Sequence, residues 1–197
     1  MSHLIITIAR EHGSGGRYVG EQLAERLGIP CYNSHIVSET ALKSGFSEKF
    51  VKENEERKPE SLLFSVAMAY SVSGSQPLSM RLFTEQTKLI RELAEKGSCV
   101  IVGRAADYVL REHPRLLRVF VTAPPEERIE RIAKTDGLTP NEAEKIIRRT
   151  DKQRAAFTSF YSDRKWGAAA NYDLCVNTAN IGIQGAVELL EACAKMR

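Results

Sequence analysis

The chain has 197 residues, 43% of them hydrophobic and 27% charged, with a formal net charge of +3 at neutral pH. That length suits one α/β domain with a sizeable core and room for a small inserted lobe, and the composition is that of a soluble globular protein. So slight a positive balance disfavours nucleic acid as partner, and no apolar run reaches the roughly 18 residues of a membrane span.

Residues 4–9 read as a buried strand. A glycine-rich turn follows, Glu11-His12-Gly13-Ser14-Gly15-Gly16. An amphipathic helix over 17–27 comes next, with Leu23, Ala24 and Leu27 on its apolar side. Strand, glycine-rich turn and helix in that order form an anion site, because backbone N–H groups turn inward and the helix start adds positive potential. The plainer alternative is a turn that merely connects two elements. Three glycines within 13–16 exceed what a connector needs. Arg17 is also a cation at a helix start, where the macrodipole disfavours it unless an anion is bound nearby.

Gly28-Ile29-Pro30 ends this helix. A short extended piece, 31–33, leads to a helix over about 34–43 with Asn33 or Ser34 as cap. Ser47 opens a charged helical segment that Pro59 breaks. Residues 60–71 are more apolar and either line an acceptor pocket or pack on the core. After a loop at 74–79, residues 80–96 show the clearest helical periodicity, with Leu82, Phe83, Leu89, Ile90 and Leu93 on the buried side. The wholly apolar run 99–102 reads as a central strand, followed at once by Gly103-Arg104 and a helix over 106–111. A strand over 116–121, a helix over 126–133 and a turn at 137–140 follow, where Thr139 caps a helix with Pro140 at its first position. That charged helix is expected to end near 155. Residues 157–171 read as irregular, 172–177 as the last strand and 181–194 as a final helix. The alternation predicts a parallel sheet with crossover helices. The four cysteines lack C-x-x-C spacing and the Met-Ser-His start lacks a leader signature, so reduced thiols and a cytoplasmic location are expected.

In an open parallel sheet, ligands sit at the carboxyl ends of the strands. Three polar clusters fall there: the glycine-rich turn, Gly103-Arg104, and the segment after 121. Arg104 is placed for an anion or for a salt bridge at the sheet edge. Asp107 can orient Arg104, hold a sugar or base edge, or cap its helix. The run Arg148-Arg149-Thr150-Asp151-Lys152-Gln153-Arg154 holds four cations besides Thr150 and Gln153 against one carboxylate. It suits either a bound polyphosphate, whose charge must be neutralised during transfer, or a basic surface face. Phe157, Phe160, Tyr161 and Trp166 can stack a base, stabilise a lid or form a dimer contact. His3, His12, His35 and His113 show no metal-ligand spacing.

Taken together, these residues resemble a nucleoside monophosphate kinase, and more narrowly the cytidylate-kinase-like family of bacterial proteins. The resemblance rests on Ile-Thr-Ile-Ala-Arg-Glu-His-Gly-Ser-Gly-Gly-Arg at 6–17, Val-Ile-Val-Gly-Arg-Ala-Ala-Asp at 100–107, the run at 148–154 and Tyr-Asp-Leu-Cys-Val-Asn at 172–177. It is weaker between 44 and 80. It implies an α/β, P-loop NTPase-like three-layer fold with a mainly parallel five-stranded sheet, an inserted helical acceptor-binding region at 34–96 and a helical lid at 126–156, all in one domain. It implies ATP as donor, with Gly13, Ser14, Gly15, Gly16, Arg17 and Tyr18 around its phosphates and Mg²⁺ bridging them. The acceptor would be CMP or dCMP, held by Arg104 and Asp107. Arg17, Arg148, Asp151 and Arg154 would serve transfer. The partners implied are small-molecule nucleotides; the residue holding the metal and the oligomeric state, a homodimer included, stay open. The phosphate-loop pattern G-x-x-x-x-G-K-[S/T] is altered here to Glu11-x-x-x-x-Gly16-Arg17-Tyr18. Arg17 keeps the lysine's charge in a planar fork, Tyr18 replaces the small hydroxyl that reaches the metal, and Glu11 brings a carboxylate that either repels a phosphate or reaches the metal.

Overall fold

The computed structural model describes residues 3–33 and 78–197. The helices expected at 34–43, from 47 to 57 and at 60–71 lie outside those residues, as does most of the expected acceptor-binding region. The loop expected at 74–79 also lies outside them up to residue 77; its last two residues already belong to a helix.

The described elements run in this order: β1 (Ile5–Arg10), α1 (Gly16–Leu27), β2 (Cys31–Tyr32), α2 (Leu78–Lys96), β3 (Cys99–Val102), α3 (Ala106–Val109), β4 (Leu116–Thr122), α4 (Pro125–Asp136), α5 (Pro140–Ser162), a short 3₁₀ turn (Ala169–Asn171), β5 (Leu174–Asn177) and α6 (Thr178–Lys195). The five strands form one sheet in the order β2-β3-β1-β4-β5, and every pairing is parallel. β1 is central, with Ile5 opposite both Cys99 and Leu116. This is the α/β architecture expected from the sequence.

Alternation along the strands sorts side chains to two faces. Ile6, Ile8, Val100, Val102, Val119 and Val121 pack against Val19 and Leu23 of α1 and Val187 and Leu190 of α6. Ile5, Cys99, Ile101 and Leu116 turn the other way, against Leu89, Ile90 and Leu93 of α2 and Val109 of α3. The three inner strands are apolar on both faces because helices cover both. The three layers leave the carboxyl ends of β1, β3 and β4 together at one rim.

Several boundaries differ from expectation: α3 ends at Val109, α4 runs on to Asp136, β5 begins at Leu174, and the last two long helices differ as follows. α5 continues to Ser162, so Phe157, Phe160 and Tyr161 are helical rather than irregular. Their i, i+3, i+4 spacing puts them on one side, where Tyr161 stacks on Phe83 of α2 at 3.8 Å between ring centres and Phe157 meets Phe83 edge-on at 5.9 Å. Asp163, in the left-handed region at φ 54°, closes the helix. The last helix starts at Thr178, capped by the Asn177 carbonyl oxygen of its side chain, and kinks at Gly182.

Candidate phosphate-binding cleft

β1 delivers Arg10 to the rim, and the turn beyond it folds on itself: the Ser14 hydroxyl and N–H both donate to the Glu11 carbonyl, at 2.9 and 3.3 Å. Ser14 is fully buried, and its own carbonyl accepts from the Thr178 hydroxyl at 2.8 Å. Its side chain therefore shapes the turn and does not face the cleft. Gly13 sits at φ +80°, and a Cβ there would lie 2.9 Å from the Arg128 carbonyl. At Gly16 a Cβ would meet that of Arg10 at 2.6 Å, so only glycine lets α1 begin this close to β1. The first N–H groups of α1 have no intrahelical acceptor and open toward the cleft.

Helices α4 and α5 grip the outer side of the turn. Arg154 donates to the Arg10 carbonyl at 3.1 Å, Arg128 to the His12 carbonyl at 3.2 Å, and Arg131 to the Gly13 carbonyl. Asp151 takes the His12 N–H at 2.7 Å on one oxygen and the Arg128 guanidinium at 2.6 Å on the other. Glu11 lines the cleft, and one oxygen of its carboxylate accepts from the Thr122 hydroxyl and the Ala123 N–H at 3.3 Å and lies 3.7 Å from Arg128 Nε. Burial, and then Arg154, hold the His12 imidazole below its usual pKa, against the pull of Asp151 and Asp136. His12 is therefore kept toward its neutral form.

The cleft in front of the turn encloses about 340 Å³. Four arginines line it, Arg10, Arg17, Arg131 and Arg154, with Gly13, Gly15, Gly16 and Tyr18. Arg17 is 65% exposed and pairs with Glu21 one turn on at 2.8 Å. Tyr18 is 46% exposed. A second, smaller crevice of about 20 Å³ lies between the ends of β1 and β3. Arg10 and Arg154 line it too, now with Arg104, Asp107, Phe157 and Trp166.

Arg104 reaches this crevice through an unusual backbone. Gly103, Arg104 and Ala105 all have positive φ, at 82°, 59° and 50°. For the two non-glycines that costs about 1 kcal/mol or more each. The left-handed run buries the Arg104 guanidinium to 3% exposure, where Nη1 donates to the Val102 carbonyl at 3.0 Å. Asp107 is buried as well, and burial pushes its carboxyl above the ordinary carboxylate range. N–H groups of Asp107 and Tyr108 and the charges of Arg164 and Arg118 oppose that rise. Ala105 holds the cap position of α3, with no side-chain cap hydrogen bond, and Asp107 is the acidic residue of its first turn.

The sequence-predicted residues thus divide. Gly13, Gly15, Gly16, Arg17, Tyr18 and Arg154 line the cleft; Arg104 and Asp107 line the crevice; Asp151 locks the turn to α4 and α5. Arg148 is not brought to either: it lies about 120° around α5 from Arg154, 79% exposed and paired with Glu144 at 2.7 Å. Sequence reasoning missed Arg10, Arg128 and Arg131. Arg128 and Arg131 are three apart on the helix that follows β4, which puts both on one face beside a strand end; that spacing was the available signal.

Glu11 and Asp136 are the carboxylates of the cleft lining, so among the described residues they would hold a phosphate-bound Mg²⁺. Among the described residues no group of three or more His, Cys, Asp or Glu is set to hold one. Both oxygens of Asp151 are engaged by His12 and Arg128, Glu11 is engaged through one oxygen, and the position of the small hydroxyl carries Tyr18.

The sequence profile of the cytidylate kinase-like family matches residues 5–180. The cytidylate kinase of Ignicoccus hospitalis is 27% identical over 189 residues, covering 95% of this chain and 96% of that one. That of Archaeoglobus fulgidus is 28% identical over 191 residues, covering 94% and 91%. Among solved structures, an uncharacterized protein from Eubacterium ventriosum superposes with a TM-score of 0.74 at 26% identity, covering 98% of this chain and 99% of that one. A shikimate kinase from Bacteroides thetaiotaomicron shares the fold, with a TM-score of 0.58 at 13% identity and coverage of 98% and 99%. No helix among the described residues is long and apolar enough to cross a membrane. With its match over residues 5–180, the chain belongs to the cytidylate kinase-like family, a family of phosphotransferases.

Proposed function

We propose that the protein transfers a phosphoryl group from ATP to a nucleoside monophosphate, with CMP or dCMP as the favoured acceptor. The observation that carries this reading is the pair Arg10 and Arg154, which line both the larger cleft and the smaller crevice. A donor polyphosphate in the cleft and an acceptor phosphate against Arg104 would meet between those two guanidiniums. Transfer between two phosphates needs little covalent help from a protein. It needs the two held in line, charge neutralised on the moving group and water kept out. In this reading the 126–156 segment acts as the lid, Arg131 and Arg154 touch the donor from its side, and 34–96 binds the acceptor nucleoside. That the relatives from Ignicoccus hospitalis and Archaeoglobus fulgidus are named cytidylate kinase supports a cytidine nucleotide as acceptor in this reading.

Release of ADP from ATP tests it, with CMP, dCMP, UMP, AMP, GMP, shikimate or no acceptor added. Turnover with CMP or dCMP alone supports the assignment, and turnover only with another acceptor replaces the substrate. A second reading, a nucleotide-binding module without turnover, is favoured by Tyr18 at the hydroxyl position and by Arg17 held on Glu21. It predicts ATP binding with no ADP released whatever acceptor is present.

A further inference from the structure

Helix α2 ends at Lys96 and β3 begins at Cys99. The end of α2 therefore lies at the amino edge of the sheet and its first turns at the carboxyl rim, the side of Arg104. On the buried side of those turns stands a glutamine. Gln86 is 1% exposed, one of the largest fully buried side chains among the described residues. Its Nε2 is buried with no hydrogen-bond partner, and so is the hydroxyl of Thr87 beside it. The neighbours one turn away on either side fix where the amide lies. Phe83, three residues before, meets Phe157 edge-on, and Phe157 lines the crevice with Arg104. Ile90, four residues after, packs in one cluster with Ala106, next in the chain to Ala105, which lines the crevice too. A buried donor left without a partner weakens the fold that carries it, and an apolar side chain of the same size would not.

Resting on the reading of the crevice as the acceptor site, we propose that Gln86 binds the base of the acceptor nucleotide, Nε2 donating to the base while the phosphate lies against Arg104. A primary amide presents N–H and C=O side by side. Cytosine answers that pair with N3 as acceptor and its 4-amino group as donor. The Nε2 group is out of water before the ligand arrives, so its bond to the base displaces no bond to solvent on the protein side. Stability given up in the free protein returns as affinity for the acceptor.

Calorimetry of the whole chain with CMP and with ATP, and urea unfolding without ligand, test this on Gln86→Leu and on Gln86→Met, which keeps the unbranched shape. The expected result is CMP bound about tenfold or more weakly, ATP bound within about twofold of the unaltered chain, and an unfolding midpoint that stays or rises. Unchanged CMP affinity in a folded variant overturns the proposal. So does a midpoint that falls in both variants, which marks the amide as part of the packing, and so does an equal loss of ATP and CMP affinity. An unaltered chain that binds ATP but no CMP overturns the reading of CMP as acceptor together with this inference. CMP bound equally by chain and variants overturns this inference alone.

Discussion

The two halves of the site are built on opposite principles. On the proposed donor side, charged groups are half in water and held by backbone carbonyls: Arg131 and Arg154 rest on the turn, and Arg17 pairs with a neighbour on its own helix. On the proposed acceptor side, Arg104 and Asp107 are 3% and 5% exposed, and the backbone that carries Arg104 is left-handed over three residues. The donor side can rearrange at little cost, since exposed pairs are worth well under about 1 kcal/mol. The acceptor side is preformed, and strain and desolvation are stored in it before any ligand arrives. One fold therefore sets an adjustable, half-exposed arginine rim beside a buried arginine fixed in place.

The sharpest way to break this contrast is Arg104→Ala. If the crevice is the preformed anchor, turnover should fall about 10²–10³-fold, read as kcat/KM for the acceptor, with ATP affinity from calorimetry little changed. An equal loss of ATP affinity would mean that the two halves are not separate. Next in size is Asp151→Asn, which breaks the pair with Arg128 that ties the turn to α4 and α5. It should cost about 2 kcal/mol in urea unfolding, less than a fully buried pair because both partners keep some contact with water. A loss within error would show the donor side to be looser than drawn.

The smallest expected effect carries a sign that tests storage of strain. Burial raises the Asp107 carboxyl above its ordinary 3.8. Between 3.8 and the raised value the native state keeps a proton that the unfolded chain has lost. The stability tied to this group is thus present at low pH and lost as pH rises through the folded value. Asp107→Asn should move the urea midpoint upward at neutral pH, and that gain should fade as pH falls toward about 4. A variant less stable at neutral pH would show that Asp107 is held by its neighbours rather than against them.

Much of the fold could be read in advance because its signals are local. The apolar run at 99–102 and the heptad-like spacing in 80–96 each state their own structure, and the order of strands and helices implies the parallel sheet. The glycine-rich turn was legible as a cradle for the same reason. Glu11 was not: its spacing matched a phosphate-loop position, but its partners, Thr122, Ala123 and Arg128, lie more than 100 residues away. Asp151 looked like one carboxylate in a basic run, and only the packing of α5 on the turn makes it the acceptor for His12. Arg148 read as equivalent to Arg154 because a count of charges does not say which side of a helix meets the sheet. The aromatic run after 156 reads as irregular by composition, but Phe157, Phe160 and Tyr161 keep the helical period and extend α5 to Ser162.

The grip of α4 and α5 on the turn has a consequence for how the protein is made. The bonds that close the turn span 116 residues from Arg128 to His12, 139 from Asp151 and 144 from Arg154. The turn lies near the start of the chain, yet nothing near it in sequence supplies these partners. During synthesis β1 and its glycines must emerge first and wait for residues 128–154 before the cradle takes its shape. Such long-range closure is slow, and an unfinished chain ending before residue 128 would carry the phosphate-binding signature with no arginine from α4 or α5 to hold it. The turn therefore acquires its shape late, once residues 128–154 have emerged.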